Sequence, residues 1–308
     1  MESALTRKIN LFIFILILTF TIQTTAEISE EKLEELFKTA SLWEVGDNKE
    51  LVQNARNELI SIGQPAYEFI INKKLGSNDS LQFRALEAVI PAKPAIALPL
   101  LRNAMKDEDN DINSRKNAIY FLGKLKDMEL KDYILNLFNE KEYQSAVVNY
   151  SKQLKISEIE PLVIKELPEL TEPRAISYID VLGEIGTDAS VEFLINYLQS
   201  DRNMILRTAA ENSLMRLIKS GNYEMFITSL QKTKSDQLKY HLITIIASTN
   251  NPDLEDILIE QLNDKNWIIR YLTVKKLKEF SPSQKISNAL EQLKAKENNP
   301  IILSFLDT

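Results

Sequence analysis

Between positions 201 and 233 the chain sets a polar turn against one-sided apolar stripes. After Asp201, Arg202 and Asn203, apolar or small residues fall at Leu206, Ala210, Leu214 and Leu217. Steps of four, four and three keep these side chains on one face of a 3.6-residue period, so the spacing predicts a helix buried on one side. A break at Gly221 leads to a second, shorter helix with Met225, Phe226 and Leu230 facing inward. Relatives of the first half of this unit recur along nearly the whole chain.

With Arg207 as an anchor, the pattern asks for a small or apolar residue three positions on, and apolar residues seven and ten on. Ala175 is followed in this way by Tyr178, Leu182 and Ile185, and Gln144 by Val147, Ser151 and Leu154. Arg115 is followed by Ala118, Leu122 and Leu125, and Val52 by Ala55, Leu59 and Ile62. Toward the other end, Lys239 precedes Leu242 and Ile246, and Arg270 precedes Thr273, Leu277 and Phe280. A looser unit surrounds Arg84, where the small residues Ala85 and Ala88 sit at other offsets. Partner helices are expected at 65–75, 94–105, 130–138, 159–167 and 191–198. The anchors at 52, 84, 115, 144, 175, 207, 239 and 270 are 29 to 32 residues apart. A regular period of this length predicts an all-α solenoid of stacked antiparallel helix pairs, about eight repeats over residues 27–308. One helix pair cannot bury its own apolar face, so the repeats are expected to fold as one array.

The turns carry their own chemistry. Asp109, Asp201 and Asp264 stand six residues before Arg115, Arg207 and Arg270. Each Asp is expected to cap the following helix by accepting from its free N–H groups, and each Arg to reach carbonyls or an Asp of an adjacent turn. Prolines 65, 94, 252 and 282 fall at expected helix starts, where a missing N–H costs nothing. Pro99, Pro161 and Pro168 fall inside helical patterns and are expected to bend them.

This D-x5-R turn with the following A-x3-L helix resembles the HEAT repeat family, in particular its short bacterial form, over about residues 28–308. Three repeats match both turn positions; Arg174 is displaced by one, Lys239 substitutes, and the repeats anchored at Val52 and Gln144 lack the arginine. The resemblance implies a right-handed superhelix with the second helix of each pair lining the concave face, and a usual role in binding proteins. It also implies a rival, since some HEAT-like proteins are lyases acting on bound pigments.

The two ends differ from the repeats. Residues 27–44 read as an opening helix with Leu33, Leu36, Phe37 and Ala40 on its inner face and acidic residues near its positive end. The apolar segment 299–306 is expected to cover the last repeat.

Composition narrows the class. The 308 residues are 44% hydrophobic and 26% charged, with only 7 Gly and 10 Pro, which excludes disorder and argues against an all-β fold. Arg7 and Lys8, an apolar run at residues 11–22 and the small-residue ending at Ala26 form the three-part pattern of a secretory signal peptide. That run is short against the ~20 residues that span a bilayer. Residues 1–26 are therefore read as cleaved and the protein as exported, periplasmic or extracellular. Losing Arg7, Lys8 and Glu2 moves the net charge from minus 7 to minus 8, an unfavourable balance for nucleic acid. There is no cysteine, so neither disulfides nor an acylated mature N-terminus is available.

Chemical motifs are sparse. No cysteine and a single His241 argue against thiol, Ser–His and zinc constellations, and no glycine loop of the phosphate-cradling kind occurs. The acidic stretch 107–111 lacks the glycine and glutamate of a calcium loop, which are Ile112 and Ala118 here. Asp180 and Glu184, four apart, are read as two solvated carboxylates, and His241 as a partly exposed helix residue. No catalytic residue, cofactor or metal is assigned, and the chain is expected not to be an enzyme.

With anchors plus three, seven and ten facing the core, positions plus one, plus five and plus nine are assigned to the concave side. The plus-five row reads Asn57, Val89, Tyr120, Asn149, Asp180, Asn212, Thr244 and Lys275, and the plus-one row adds Lys116, Tyr240 and Tyr271. Tyrosines on a polar face offer contact area with a polar tip. Lys116, Tyr120, Asn149, Asp180, Asn212, Tyr240, Tyr271 and Lys275 are the candidate partner contacts. The expected function is an exported scaffold holding a protein or peptide. The alternatives are an accessory enzyme, or a membrane-tethered adaptor if the signal is retained.

Overall fold

The computed structural model describes residues 28–200, 202–221 and 223–307. Residues 1–26, expected from sequence to be a signal segment, and Asp201 lie outside them. Among the described residues the chain is all helix and turn, without strand. It divides into two compact units, one ending at Leu130 and the other beginning at Lys131.

The first unit opens with α1 (Glu30–Ala40), where Ser29 accepts from the Lys32 N–H and Leu33, Leu36, Phe37 and Ala40 are buried as expected. α2 (Asn48–Ile62) buries Val52, Ala55 and Leu59. It passes into α3 (Gln64–Lys73) through Gly63, whose φ of 77° is costly for any residue with a Cβ. α4 (Ser80–Val89), capped by Asp79, buries Ala85, Leu86 and Val89. Val89 is therefore core rather than surface, because the register around Arg84 is shifted; its carbonyl accepts from the Tyr67 hydroxyl at 2.5 Å. α5 (Pro94–Lys106) contains Pro99, and α6 (Ile112–Lys124) closes the unit with Ala118, Phe121 and Leu122 buried.

In the second unit the anchor helices are α8 (Gln144–Leu154), α10 (Arg174–Ile185), α12 (Met204–Leu217), α14 (Asp236–Ala247) and α16 (Trp267–Glu279). They pack in succession, each on the next. Val147 and Ser151, Tyr178 and Leu182, Ala210 and Leu214, Leu242 and Ile246, and Thr273 and Leu277 are all buried at the spacing read from sequence. Each is followed by a partner helix, α9 (Glu160–Glu166), α11 (Asp188–Leu198), α13 (Glu224–Lys232), α15 (Glu255–Glu260) and α17 (Gln284–Lys296) in turn; α7 (Lys131–Asn136) precedes the set and α18 (Pro300–Leu306) follows it. α18 packs on α16 and α17 with Ile302 buried, and Lys278 Nζ donates to the Phe305 carbonyl at 2.6 Å. Each fully buried aliphatic side chain contributes roughly 1.5–3 kcal/mol.

Anchor helices α10 and α12 approach closely because position 183 is glycine. A Cβ there would lie 2.8 Å from Ser213 Cα and 2.5 Å from Arg216 Nη2. Ser213 uses the proximity to donate to the Ile179 carbonyl at 2.9 Å.

Three expectations about local structure change. The helix caps are Asp111, Asn203 and Asn266, each two residues after the Asp expected to do so. Asp264 instead accepts from the Asn266 N–H at 2.8 Å and pairs with Lys239, setting the turn that presents the cap. Two of the three arginines reach carbonyls: Arg115 Nε donates to Met105 at 3.0 Å and Arg270 Nη1 to Asp264 at 2.9 Å. Pro161 lies in the first turn of α9, and Pro168 in the single 3-10 turn Leu167–Glu169 after it, so neither interrupts a helix. Met225 is half-exposed while its neighbour Phe226 is buried, the turn of about 100° between consecutive residues carrying Met225 to the edge of the buried face.

Candidate functional site

Two of the expected partner contacts belong to the first unit. Lys116 is half-exposed. Tyr120 is half-buried, its ring 5.3 Å from that of Phe83 and 5.1 Å from that of Phe121. Its hydroxyl donates to Glu87 Oε1 at 2.5 Å, and Lys124 Nζ donates to the same oxygen at 2.9 Å. Burial pushes the Tyr120 phenol up to about 12, reinforced by the Glu87 carboxylate. Burial alone would raise Glu87; its bonds from Tyr120 and Lys124 outweigh that and hold it below the ordinary carboxylate range.

The other six lie along the anchor helices of the second unit, where ion pairs consume part of the row. Asp180 Oδ1 accepts from Arg216 Nη2 at 2.7 Å, and its other oxygen pairs with Lys152. Arg216 also reaches Ser213 Oγ at 3.0 Å, with its Nε 3.5 Å from Glu184 Oε1. Asp180 and Glu184 are thus not two solvated carboxylates: a guanidinium from the next anchor helix stands between them. His241 Nδ1 contacts Glu211 in the same inter-helix manner. Tyr271 sits edge-on to Phe305 at 5.4 Å. Asn149, Asn212, Tyr240 and Lys275 are exposed, Asn149 accepting from Gln153 at 3.0 Å.

A groove of about 570 Å³ lies elsewhere in this unit, between α11 and α13, with Leu238 of α14 contributing to its base. Ile195, Met225 and Leu238 form an aliphatic floor, of which Ile195 and Leu238 are buried. Glu192 and Asn196 of α11, its C-cap Gln199, and Glu224, Thr228, Ser229 and Lys232 of α13 form the walls. Residues 192, 195, 196 and 199 repeat the steps of 225, 228, 229 and 232, so each helix offers one continuous face. Thr228 donates to Glu224 at 3.3 Å. Asn196, Gln199 and Lys232 have no side-chain hydrogen bond or ion pair among the described residues. The inward apolar residues of the partner helices do not reveal the groove, because its walls lie on their outer polar faces. The repeated polar spacing on α11 and α13 is the signal that points to it.

Glu160 fixes one wall. Although only 5% exposed, its carboxylate accepts from the N–H groups of Thr187 at 2.8 Å and Ser190 at 3.0 Å, and from both hydroxyls. An anion at the positive end of α11 satisfies donors that the helix leaves free. The arrangement supplies aliphatic contact and neutral hydrogen-bonding groups, which suits holding a ligand. Among the described residues no group of three or more His, Cys, Asp and Glu could hold a metal ion, and no helix is long and apolar enough to cross a membrane.

No protein-family profile and no curated protein matches this chain. Solved structures do resemble it. One is the complex of CpcE and CpcF of phycocyanin lyase from Nostoc sp. PCC7120, at 19% identity and a TM-score of 0.39, covering 74% of this chain and 94% of that one. Human deoxyhypusine hydroxylase in complex with glycerol matches at 15% identity and a TM-score of 0.29, covering 82% and 96%. An engineered protein matches at 15% identity and a TM-score of 0.38, covering 86% and 82%. A HEAT-like helical-repeat fold fits the chain. The expectation that the chain is not an enzyme is corrected here: two of these three structures are named as a lyase and a hydroxylase. At these TM-scores the likenesses assign no activity.

Proposed function

We propose that this chain binds a protein or peptide partner, and that the groove between α11 and α13 is where the partner seats. The observation that supports this is a contrast in hydrogen-bonding capacity. Along the anchor helices, Asp180, Arg216, Lys152, Glu211 and His241 are engaged with one another. In the groove, Asn196, Gln199 and Lys232 stand unengaged over an aliphatic floor. Exposed polar capacity around a desolvated apolar centre is the composition of an interface. Asn212, Tyr240 and Lys275 are further contacts in this reading, and export rests on the pattern of residues 1–26.

A photo-crosslinking amino acid in place of Met225 tests the site. The expected result is one dominant crosslinked species that unmodified protein competes away and that the same probe at exposed Lys141 does not give. Equal labelling at both positions, or none at Met225, would sink the reading.

A second reading makes the chain one component of an enzyme, as CpcE and CpcF are named together in a phycocyanin lyase. Purifying the chain with its crosslinked partner and assaying for turnover that neither has alone decides between the two.

A further inference from the structure

We infer that the groove between α11 and α13 reads the backbone of an extended peptide, with Asn196 and Gln199 bonding to its peptide groups and one aliphatic ligand side chain seated on Ile195, Met225 and Leu238. This rests on the partner-binding reading above and names the ligand class for the same groove.

Each of Asn196 and Gln199 carries one acceptor oxygen and two N–H donors. A peptide group offers the complementary pair, one N–H and one C=O, and must find partners for both when it leaves water. Asn196 lies in the last turn of α11 and Gln199 is its C-cap, still with helical backbone (φ −86°, ψ −11°), so the two, three apart, keep their side chains on one face with Cβ atoms about 5–6 Å apart. An extended strand rises about 3.3 Å per residue, so alternate peptide groups recur at a similar spacing of about 6.6 Å. In the same strand successive side chains point to opposite faces. One side chain can therefore enter the aliphatic floor while its neighbours face solvent. A partner helix would bring backbone groups that are already paired, leaving the two amides without matching partners. The charged groups on the walls are Glu192 and Glu224 against Lys232, which favours Lys or Arg beside the seated aliphatic residue. The volume of about 570 Å³ lies within the range of about 300–1,000 Å³ typical of ligand pockets and suits a short segment.

The test uses a phage-displayed library of random linear peptides selected on the full chain. Selected peptides are titrated by fluorescence anisotropy against wild type, the double variant Asn196→Ala/Gln199→Ala, and Met225→Ala. Alanine at exposed helix positions preserves the helix, and an unchanged Tm confirms it. Recovered sequences should share an aliphatic residue next to Lys or Arg. Loss of the two amides should weaken binding about tenfold, and N-methylation of one peptide nitrogen in the ligand should do the same. Failure to select any peptide, or affinities indifferent to the double variant or to N-methylation, would overturn the inference. Specific crosslinking at Met225 alongside that failure leaves partner binding standing and removes only the extended-peptide class; failure of both removes both.

Discussion

Glu297, at the C-terminal cap of α17, accepts from Arg270 Nε at 2.7 Å and Nη2 at 2.9 Å, and from the N–H groups of Asn298 and Asn299 at 3.0 Å each. Its side chain is 2% exposed. The Arg270 bonds lead, outweighing burial, and with the backbone donors they lower its pKa from 4.5 to about 2. A carboxyl depressed in the folded state stabilises the fold above its unfolded pKa, and that contribution is lost as pH falls through its folded one. Stability should therefore decline from about pH 4.5 to about pH 2, with on the order of 3 kcal/mol attached to this group. Glu297→Gln is expected to lower stability at neutral pH by a similar amount and to flatten that acid limb in urea melts taken across pH. An unchanged limb would assign it to other carboxylates. Tyr120 has the opposite sign: raised to about 12, it contributes fully below the ordinary tyrosine range and loses that contribution as pH climbs through 12.

Among the elements, α11 depends most visibly on a residue outside itself. Its start is held by Glu160, from the first turn of α9, rather than by its own sequence alone; Thr187 also accepts from the Ala189 N–H at 3.3 Å. The device recurs where Glu255, in the first turn of α15, accepts from Ser283 Oγ at 2.9 Å, the cap of α17. Glu160→Ala would leave four donors around a buried gap. The expected cost is about 2–3 kcal/mol, read as a lower urea midpoint at constant slope, with Glu160→Gln recovering part of it through its remaining carbonyl acceptor. Because α11 forms one wall of the groove, Glu160→Ala should also weaken ligand binding more than Glu160→Gln does. Equal stability for all three proteins would show that the cap contributes nothing.

For the molecule as a whole, each unit has its own buried centre: Leu59, Tyr67, Leu86 and Phe121 in the first, Tyr150, Tyr178, Leu214 and Ile246 in the second. Export is a whole-chain proposal that rests on the N-terminal pattern of residues 1–26. Sequencing the protein as it leaves the exporting compartment should give a start at Glu27, after removal of residues 1–26. A start at Met1 would replace export with a retained apolar segment.

The helices and their buried faces were legible in the sequence because helical periodicity is local. Steps of three and four around Leu206, Ala210, Leu214 and Leu217 fix which side is apolar, and burial follows wherever a neighbour exists to receive it. The opening helix, the spacing of anchors and the C-terminal cover follow from the same rule. What tertiary structure decided were relations between residues far apart in the chain. Asp180 and Arg216 are 36 positions apart, and only packing of α10 on α12 turns a pair of carboxylates on one helix into a clamped ion pair. The caps at Asp111, Asn203 and Asn266 differ from the expected Asp by two residues, because turn geometry, not residue type, selects which oxygen meets the free N–H groups. The groove arises from two helices some thirty residues apart in sequence, and whether Asn196 and Gln199 remain free depends on what their neighbours leave unengaged. Periodicity determines a face; only the assembled neighbours determine whether that face is core, spent in ion pairs, or open to a ligand.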